Sequence, residues 1–179
     1  IYACVSLIAG DISKIRPMLV EYQQGVWVET DNSAYSPVLR KPNRYQTRIQ
    51  FLNAWMTSKL MWGNTYVLLE RDLSRKVRAM YVLDPKLVRV IVTDDGGVYY
   101  QLAVDLLANQ KGPITIPASE IIHDRCMTPF HPLIGVSPIF ACGVAATQAL
   151  TIQSNSTKFF QNGSRPGGVL TAPGSITQA

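Results

Sequence analysis

Histidine occurs twice and cysteine three times in 179 residues, and no two cysteines form a CxxC pair. That scarcity argues against a zinc ribbon and against a disulfide framework. Cys4, Cys126 and Cys142, odd in number and widely spaced, fit a reducing compartment. Charge is also thin, at 16% of residues, and none at all falls between Pro132 and Thr157. No GxxxxGK[ST] sequence is present, and the glycine-rich "NGSRPGG" follows an expected helix rather than a strand, so a phosphate cradle is not indicated. Paired carboxylates for acid–base work are missing, since Asp94-Asp95 belongs to a turn. No basic leader opens the chain: "IYACVSLIAGDISKI" carries Asp11 and Lys14 and does not read as a secretory signal. A membrane span needs about 20 mostly apolar residues. The chargeless run holds Ser137, Thr147, Gln148, Thr151 and Gln153, and only its first part is apolar. A membrane-anchored adaptor is therefore a third-rank reading, tested by solubility without detergent.

What is present is a core. Apolar residues make up 47% of the chain, too many for a disordered segment. Seventeen basic residues against twelve acidic ones give a net charge of +5, compatible with a polyanionic partner and equally with an ordinary basic protein.

Ile1, Val5, Ile8, Ile12 and Ile15 recur at spacings of three and four, which predicts a helix ended by Pro17. Residues 18–30 read as two short strands around Gln-Gln-Gly, and "DNSAYSPVLRKPN" as a loop. A second helix is expected from about Tyr45 to Trp62, with Ile49, Leu52, Met56 and Leu60 on one side, Asn43 as its cap and Gly63 closing it. Strands follow at 65–71, 77–83, 87–93 and 98–104, the last pair joined by Asp94-Asp95-Gly96-Gly97, a hairpin signal. "ITIP" and "EIIHDR" add short strands. The fold class is α+β with mostly antiparallel pairing.

From Ser137-Pro138, a capping hydroxyl and a proline at the first helical position, a long helix is expected to run unbroken to Asn162-Gly163. Twenty-five residues at 1.5 Å each would measure about 37 Å. Its first half is rich in small residues and its second half carries the uncharged polar run Gln153, Ser154, Asn155, Ser156 and Thr157. Such a helix either projects and finds neighbours, most simply copies of the same chain in a closed ring, or lies buried at the centre of its own domain. A short strand is expected at "GVLT".

The densest set of reactive side chains lies in "EIIHDRCMTPFH", with Glu120, His123, Asp124, Cys126 and His131. A metal-dependent enzyme using His123, Cys126 and His131 is the alternative functional reading. Against it, zinc needs about four converging ligands, and neighbours on a strand point to opposite faces. Cys126 also lacks the setting of an activated nucleophile. The bland reading is that this segment ends a sheet and aims the chain into the long helix.

Seven segments in order, "YACVSLIAGDISKI", "KPNRYQTRIQF", "GNTYVLLERD", "YVLDP", "IPASEIIHDR", "HPLIGVSPIFACGVAATQAL" and "KFFQNGSRPGGVLTAPGSI", resemble the portal proteins of tailed bacteriophages of the lambdoid siphovirus type. The resemblance covers nearly the whole chain. It implies a structural, non-enzymatic subunit of a ring of about twelve copies at one capsid vertex, with no cofactor and no membrane. It implies as partners double-stranded DNA in the channel, terminase, capsid protein and the head–tail connector. It places the protein in the virion, and in the host cytoplasm during assembly. On that template residues 1–135 form an α+β wing, 136–162 a stem helix and 163–179 the start of a clip, with the remaining clip, second stem helix, channel loop and crown outside this sequence. The resemblance further suggests Lys158, Gln161, Asn162 and Arg165 at the DNA channel. Ala141, Ala145, Gln148, Ala149 and Ile152 would pack stem helices between subunits. His131, Gly135, Ser137 and Pro138 would form the wing–stem junction, and Gly167, Gly168, Val169 and Leu170 part of the clip.

Overall fold

A computed structural model describes residues 1–32, 35–108, 110 and 112–164. The chain divides after Phe140 into two units.

The first unit opens with helix α1 (Tyr2–Ser13) and a separate hairpin of β1 (Val20–Gln23) and β2 (Val26–Glu29). Helices α2 (Ser36–Arg40) and α3 (Arg48–Trp62) follow. Strands β3 (Asn64–Arg71), β4 (Val77–Leu83) and β8 (Ile121–Arg125) make one antiparallel sheet in the order β4-β3-β8. Strands β5 (Val88–Val92), β6 (Val98–Leu102) and β7 (Ile114–Pro117) make a second, with β6 central. All pairings are antiparallel, so the α+β reading holds.

Strand alternation sorts β3 onto two faces. Tyr66 and Leu68 join Leu83, Ile121, Tyr100, Leu102 and Ala108 in the buried cluster between the two sheets. Thr65 and Val67 point the other way, towards α3, where the Thr65 hydroxyl donates to the Trp55 carbonyl at 2.7 Å. Helix α1 packs in turn along α3. The chemistry of this layer is mixed, because Asp124 on β8 accepts from the Trp55 indole at 2.8 Å and from the Lys59 ammonium at 2.7 Å.

Several local expectations need correction. The stripe of isoleucines on α1 is largely exposed, Ile1, Ile8 and Ile15 among them, and the buried contacts are the small Ala9 and Ser13. Small side chains let the α1 backbone approach its neighbour closely. On α3 the buried positions are Phe51 and Ser58, while Ile49 is exposed. The helix starts later than Tyr45 because Thr47 and Gln50 form a reciprocal capping box. Asn43 caps an earlier turn, accepting from the amides of Tyr45 and Gln46. The segment read as a loop contains α2, whose Ser36-Pro37 start carries the same signal as Ser137-Pro138. Gly63 ends α3 in the left-handed region at φ 77°, as the spacing predicts.

The long helix is not continuous. Helix α4 (Pro138–Ala141) is a single turn, Cys142 leaves helical geometry at φ −95°, ψ 3°, and α5 runs Gly143–Gln161. The first turn is tight, with the Phe140 amide bonded to the Ser137 carbonyl, and Gly143 offers little resistance to a break.

Candidate functional site

The connection out of the first unit is built on two glycines. Gly63 ends α3, and Gly135 lies just before α4. A Cβ on Gly63 would stand 2.5 Å from the Ser137 nitrogen and 2.6 Å from the Val136 carbonyl carbon. One on Gly135 would meet the Gly63 carbonyl oxygen and sit 2.8 Å from the Cys126 nitrogen. Only bare backbone fits, so the two segments are in main-chain contact.

Asn64 locks that contact. Its Oδ1 accepts from the Gly135 amide at 2.8 Å, and its Nδ2 donates to the Gly135 carbonyl at 2.9 Å and to the Trp62 carbonyl at 3.2 Å. The Cys126 amide donates to the Gly63 carbonyl and the Val136 amide to the Met127 carbonyl, both at 2.8 Å. Ser137 Oγ donates to the Leu60 carbonyl at 2.6 Å and accepts from the Ile139 amide at 3.1 Å, joining α3 to the start of α4. Of the four expected junction residues, Gly135 and Ser137 are thus in the knot and Pro138 begins α4 directly beyond it. His131 is exposed and its Nδ1 accepts locally from the Leu133 amide.

His123 supports the knot from beneath. Its ring stacks on Tyr66 at 4.3 Å and meets Tyr100 edge-on at 5.6 Å. Nδ1 lies 3.0 Å from the Tyr100 hydroxyl, and Nε2 lies 3.1 Å from Asn64 Oδ1. As Oδ1 can only accept, Nε2 carries the proton and the Tyr100 hydroxyl donates to Nδ1. Burial, followed by the nearby Arg125 charge, pulls the imidazole pKa down to about 4 against a smaller opposing pull from Asp124. Burial also pushes the Tyr66 and Tyr100 phenols up.

The three residues of the metal-enzyme alternative do not converge. His123 faces the tyrosines, its strand neighbour Asp124 faces α3, and the Cys126 thiol donates to the Lys59 carbonyl at 3.5 Å. Among the described residues no group of three or more His, Cys, Asp or Glu side chains could hold a metal ion. Among them, too, no helix is long and apolar enough to cross a membrane.

The second unit has a different chemistry. Helix α5 has no buried residue. At about 100° per residue, Ala145, Gln148, Ala149 and Ile152 share one face. Lys158 and Gln161 lie about 160° away on the face that also carries Thr147 and Ser154. The hydroxyls of Thr147, Thr151 and Thr157 each donate to the carbonyl four residues earlier at 2.9 Å. Asn162 is the C-terminal flanking residue of α5, and Ala141 belongs to α4. Arg165, the expected strand at "GVLT" and the expected clip residues Gly167, Gly168, Val169 and Leu170 lie outside the described residues.

Sequence reasoning passed over Asn64 and Tyr100. The Asn64 signal was present: a buried polar residue straight after a left-handed glycine must find partners nearby. Nothing local marked Tyr100, because it reaches His123 from the opposite sheet.

The phage portal protein family matches residues 1–179. A probable portal protein of Streptomyces phage phiC31 is 28% identical over 135 residues, covering 73% of this chain and 29% of that protein. An uncharacterized protein of Rickettsia felis is 24% identical over 183 residues, covering 95% of this chain and 43% of its own length. A chain from the neck of an empty gene transfer agent particle, computed with C6 symmetry, superposes with a TM-score of 0.77 at 22% identity, covering 95% of this chain and 48% of that one. Another, from the neck of a native particle computed with C12 symmetry, gives 0.69 at the same identity over 95% and 46%. The chain thus spans less than half the length of each of these relatives, and the likeness to the neck chains is one of fold. Matched along its entire length and sharing that α+β fold, the chain belongs to the phage portal protein family.

Proposed function

We propose that this chain is the larger part of the N-terminal half of a portal subunit. Copies close into a ring of about twelve at one vertex of a phage-type capsid, through which double-stranded DNA is packaged and ejected. The protein is a structural conduit and performs no turnover. Residues 1–135 serve as the wing, 136–162 as the stem segment and 163–179 as the start of the clip. Terminase, capsid protein and the head–tail connector are its partners, in the virion and, during assembly, in the host cytoplasm.

The observation that carries this reading, beside family membership, is the chemistry of α5. A wall for a moving polyanion must not grip it, since each lysine or arginine contact with phosphate adds salt-linked affinity. Lys158 is the one cation on α5, and the Thr147, Thr151 and Thr157 hydroxyl protons are committed to the helix's own carbonyls. The opposite face, with Ala145, Gln148, Ala149 and Ile152, is suited to close helix packing between subunits. Gln161 and Asn162 join Lys158 in the channel-facing set, to which the family resemblance would add Arg165, outside the described residues.

The test is sedimentation velocity with native mass measurement on the protein at the full length of its relatives. A closed ring near twelve copies is expected. A folded monomer at high micromolar concentration would overturn the reading.

A further inference from the structure

Helix α2 leads into a short segment, Lys41 to Arg44, that is fixed along the outer edge of β4. The Met80 amide donates to the Pro42 carbonyl at 2.8 Å, and the buried Asn43 donates through Nδ2 to the Met80 carbonyl at 2.9 Å. Asn43 Oδ1 accepts from the Tyr45 and Gln46 amides and closes the turn. Beside this segment lies a polar recess of about 420 Å³, lined by Lys41, Arg44, Glu70, Arg78 and Tyr81. The Tyr81 phenol is pushed up by burial first and then by the Glu70 carboxylate, with the Arg44 charge opposing. Among the described residues Lys41, Arg44 and Arg78 enter no ion pair. Three cations against the one Glu70 carboxylate leave the recess with two positive charges in surplus.

The matching acidic feature is the tip of the β5–β6 hairpin. Asp94 and Asp95 are adjacent and exposed, and among the described residues neither enters an ion pair. The turn has a defined shape, with Gly96 at φ 80°, its amide on the Thr93 carbonyl at 2.8 Å and the Thr93 amide on the Gly97 carbonyl at 2.9 Å. The Thr93 hydroxyl and then the Gly97 amide hold the Asp95 carboxyl below its usual range, so it stays ionised. Neither aspartate lines the recess of its own chain.

We infer that the Asp94–Asp95 tip of one copy docks in the Lys41–Arg44–Arg78 recess of the next. The inference rests on the ring proposed above and names a contact that sets its register. Charge selects the occupant, since two carboxylates on a narrow turn meet a surplus of two positive charges. Duplex DNA fits less well. It carries one charge per about 1.7 Å of axis and calls for a stripe of cations, whereas these cations line a single recess that also holds Glu70. A tip and a recess on different parts of one chain make a head-to-tail contact, and such contacts repeated around an axis close into rings. Because β4 already holds the Lys41–Arg44 segment, little ordering is needed on docking. Exposed charges of this kind act chiefly on orientation and association rate.

The test follows assembly of full-length protein by light scattering. Arg44→Glu and Asp94→Lys are each expected to slow ring assembly about tenfold at low salt, with the gap to wild type closing at high salt. Mixed in equal amounts, the two variants are expected to assemble severalfold faster than either alone. The unaltered tip of one then meets the unaltered recess of the other, and the two reversed charges attract in the alternate contacts. Should Arg44→Glu change the circular dichroism of the fold, Lys41→Glu, at an exposed side chain, repeats the test. Either variant assembling at the wild-type rate, or a mixture no faster than its components, overturns the inference and leaves the ring standing. So does binding of duplex DNA or inorganic phosphate that Arg44→Glu abolishes while assembly is unchanged. A wild-type protein that never assembles removes both.

Discussion

Single residues carry unusual weight where Gly63 meets Gly135. Gly135→Ala places a methyl against the Gly63 carbonyl, 2.8 Å from the Cys126 nitrogen and 3.1 Å from Asn64 Oδ1, and its two closest neighbours are main chain. The expected loss is about 3 kcal/mol or more, read as a shift in the denaturant midpoint. An unchanged midpoint would mean that the contact is looser than described. His123 makes a second prediction, and its sign follows from linkage. Unfolded, the ring takes a proton near 6.5; folded, only near 4. Between those values the unfolded chain binds more protons, so stability falls as pH drops from about 6.5 to 4. The half-buried ring makes this on the order of 2 kcal/mol after allowance for solvent screening. Urea unfolding at pH 4.5 and 7 should show the drop, and His123→Gln should flatten it. Asp124→Ala strands both the Trp55 indole and the Lys59 ammonium, and a loss of about 2 kcal/mol is expected in the same assay.

Among the elements, α3 is the most exposed to test. Its start depends on the Thr47–Gln50 box, so Thr47→Ala should cost about 1 kcal/mol and fray the first turn, visible as faster amide exchange at Gln50. That box also shows what the chain declares locally. The hairpin at Gly96, the left-handed end at Gly63 and the alternation along β3 are all short-range, and each is legible from a few residues. The buried faces of α1 and α3 were not, because small residues, Ala9 and Ser13 on α1 and Ser58 beside Phe51 on α3, take the buried positions while Ile8 and Ile49 stay exposed. The His123 network was illegible for a related reason. Its partners Asn64 and Tyr100 come from β3 and β6, and only pairing of the sheets brings them within 3.1 Å. The break at Cys142 separates a tight Ser137–Phe140 turn from a helix that restarts at a glycine, and the run of small residues concealed it.

At the scale of the whole molecule, the conduit reading makes α5 a wall whose merit is weak attraction. Ser154→Arg adds a second cation to the Lys158 face. In full-length protein it should leave ring formation unchanged and slow DNA packaging severalfold, most at low salt, as phosphate contacts predict. Packaging at the normal rate and salt dependence would mean that this face does not meet DNA. The glycine knot sets how force would travel through such an assembly. A tug on Pro138 is received by the Ser137 hydroxyl on Leu60, by the paired amide bonds of Asn64 with Gly135, and by the Val136 and Cys126 amides. Two main-chain bonds, from the Val136 and Cys126 amides, thus act in parallel with the side-chain bonds of Ser137 and Asn64. Within the first unit, a load on Pro138 is therefore shared between the end of α3 and, through Asn64 and its bond to His123, the sheet of β3 and β8.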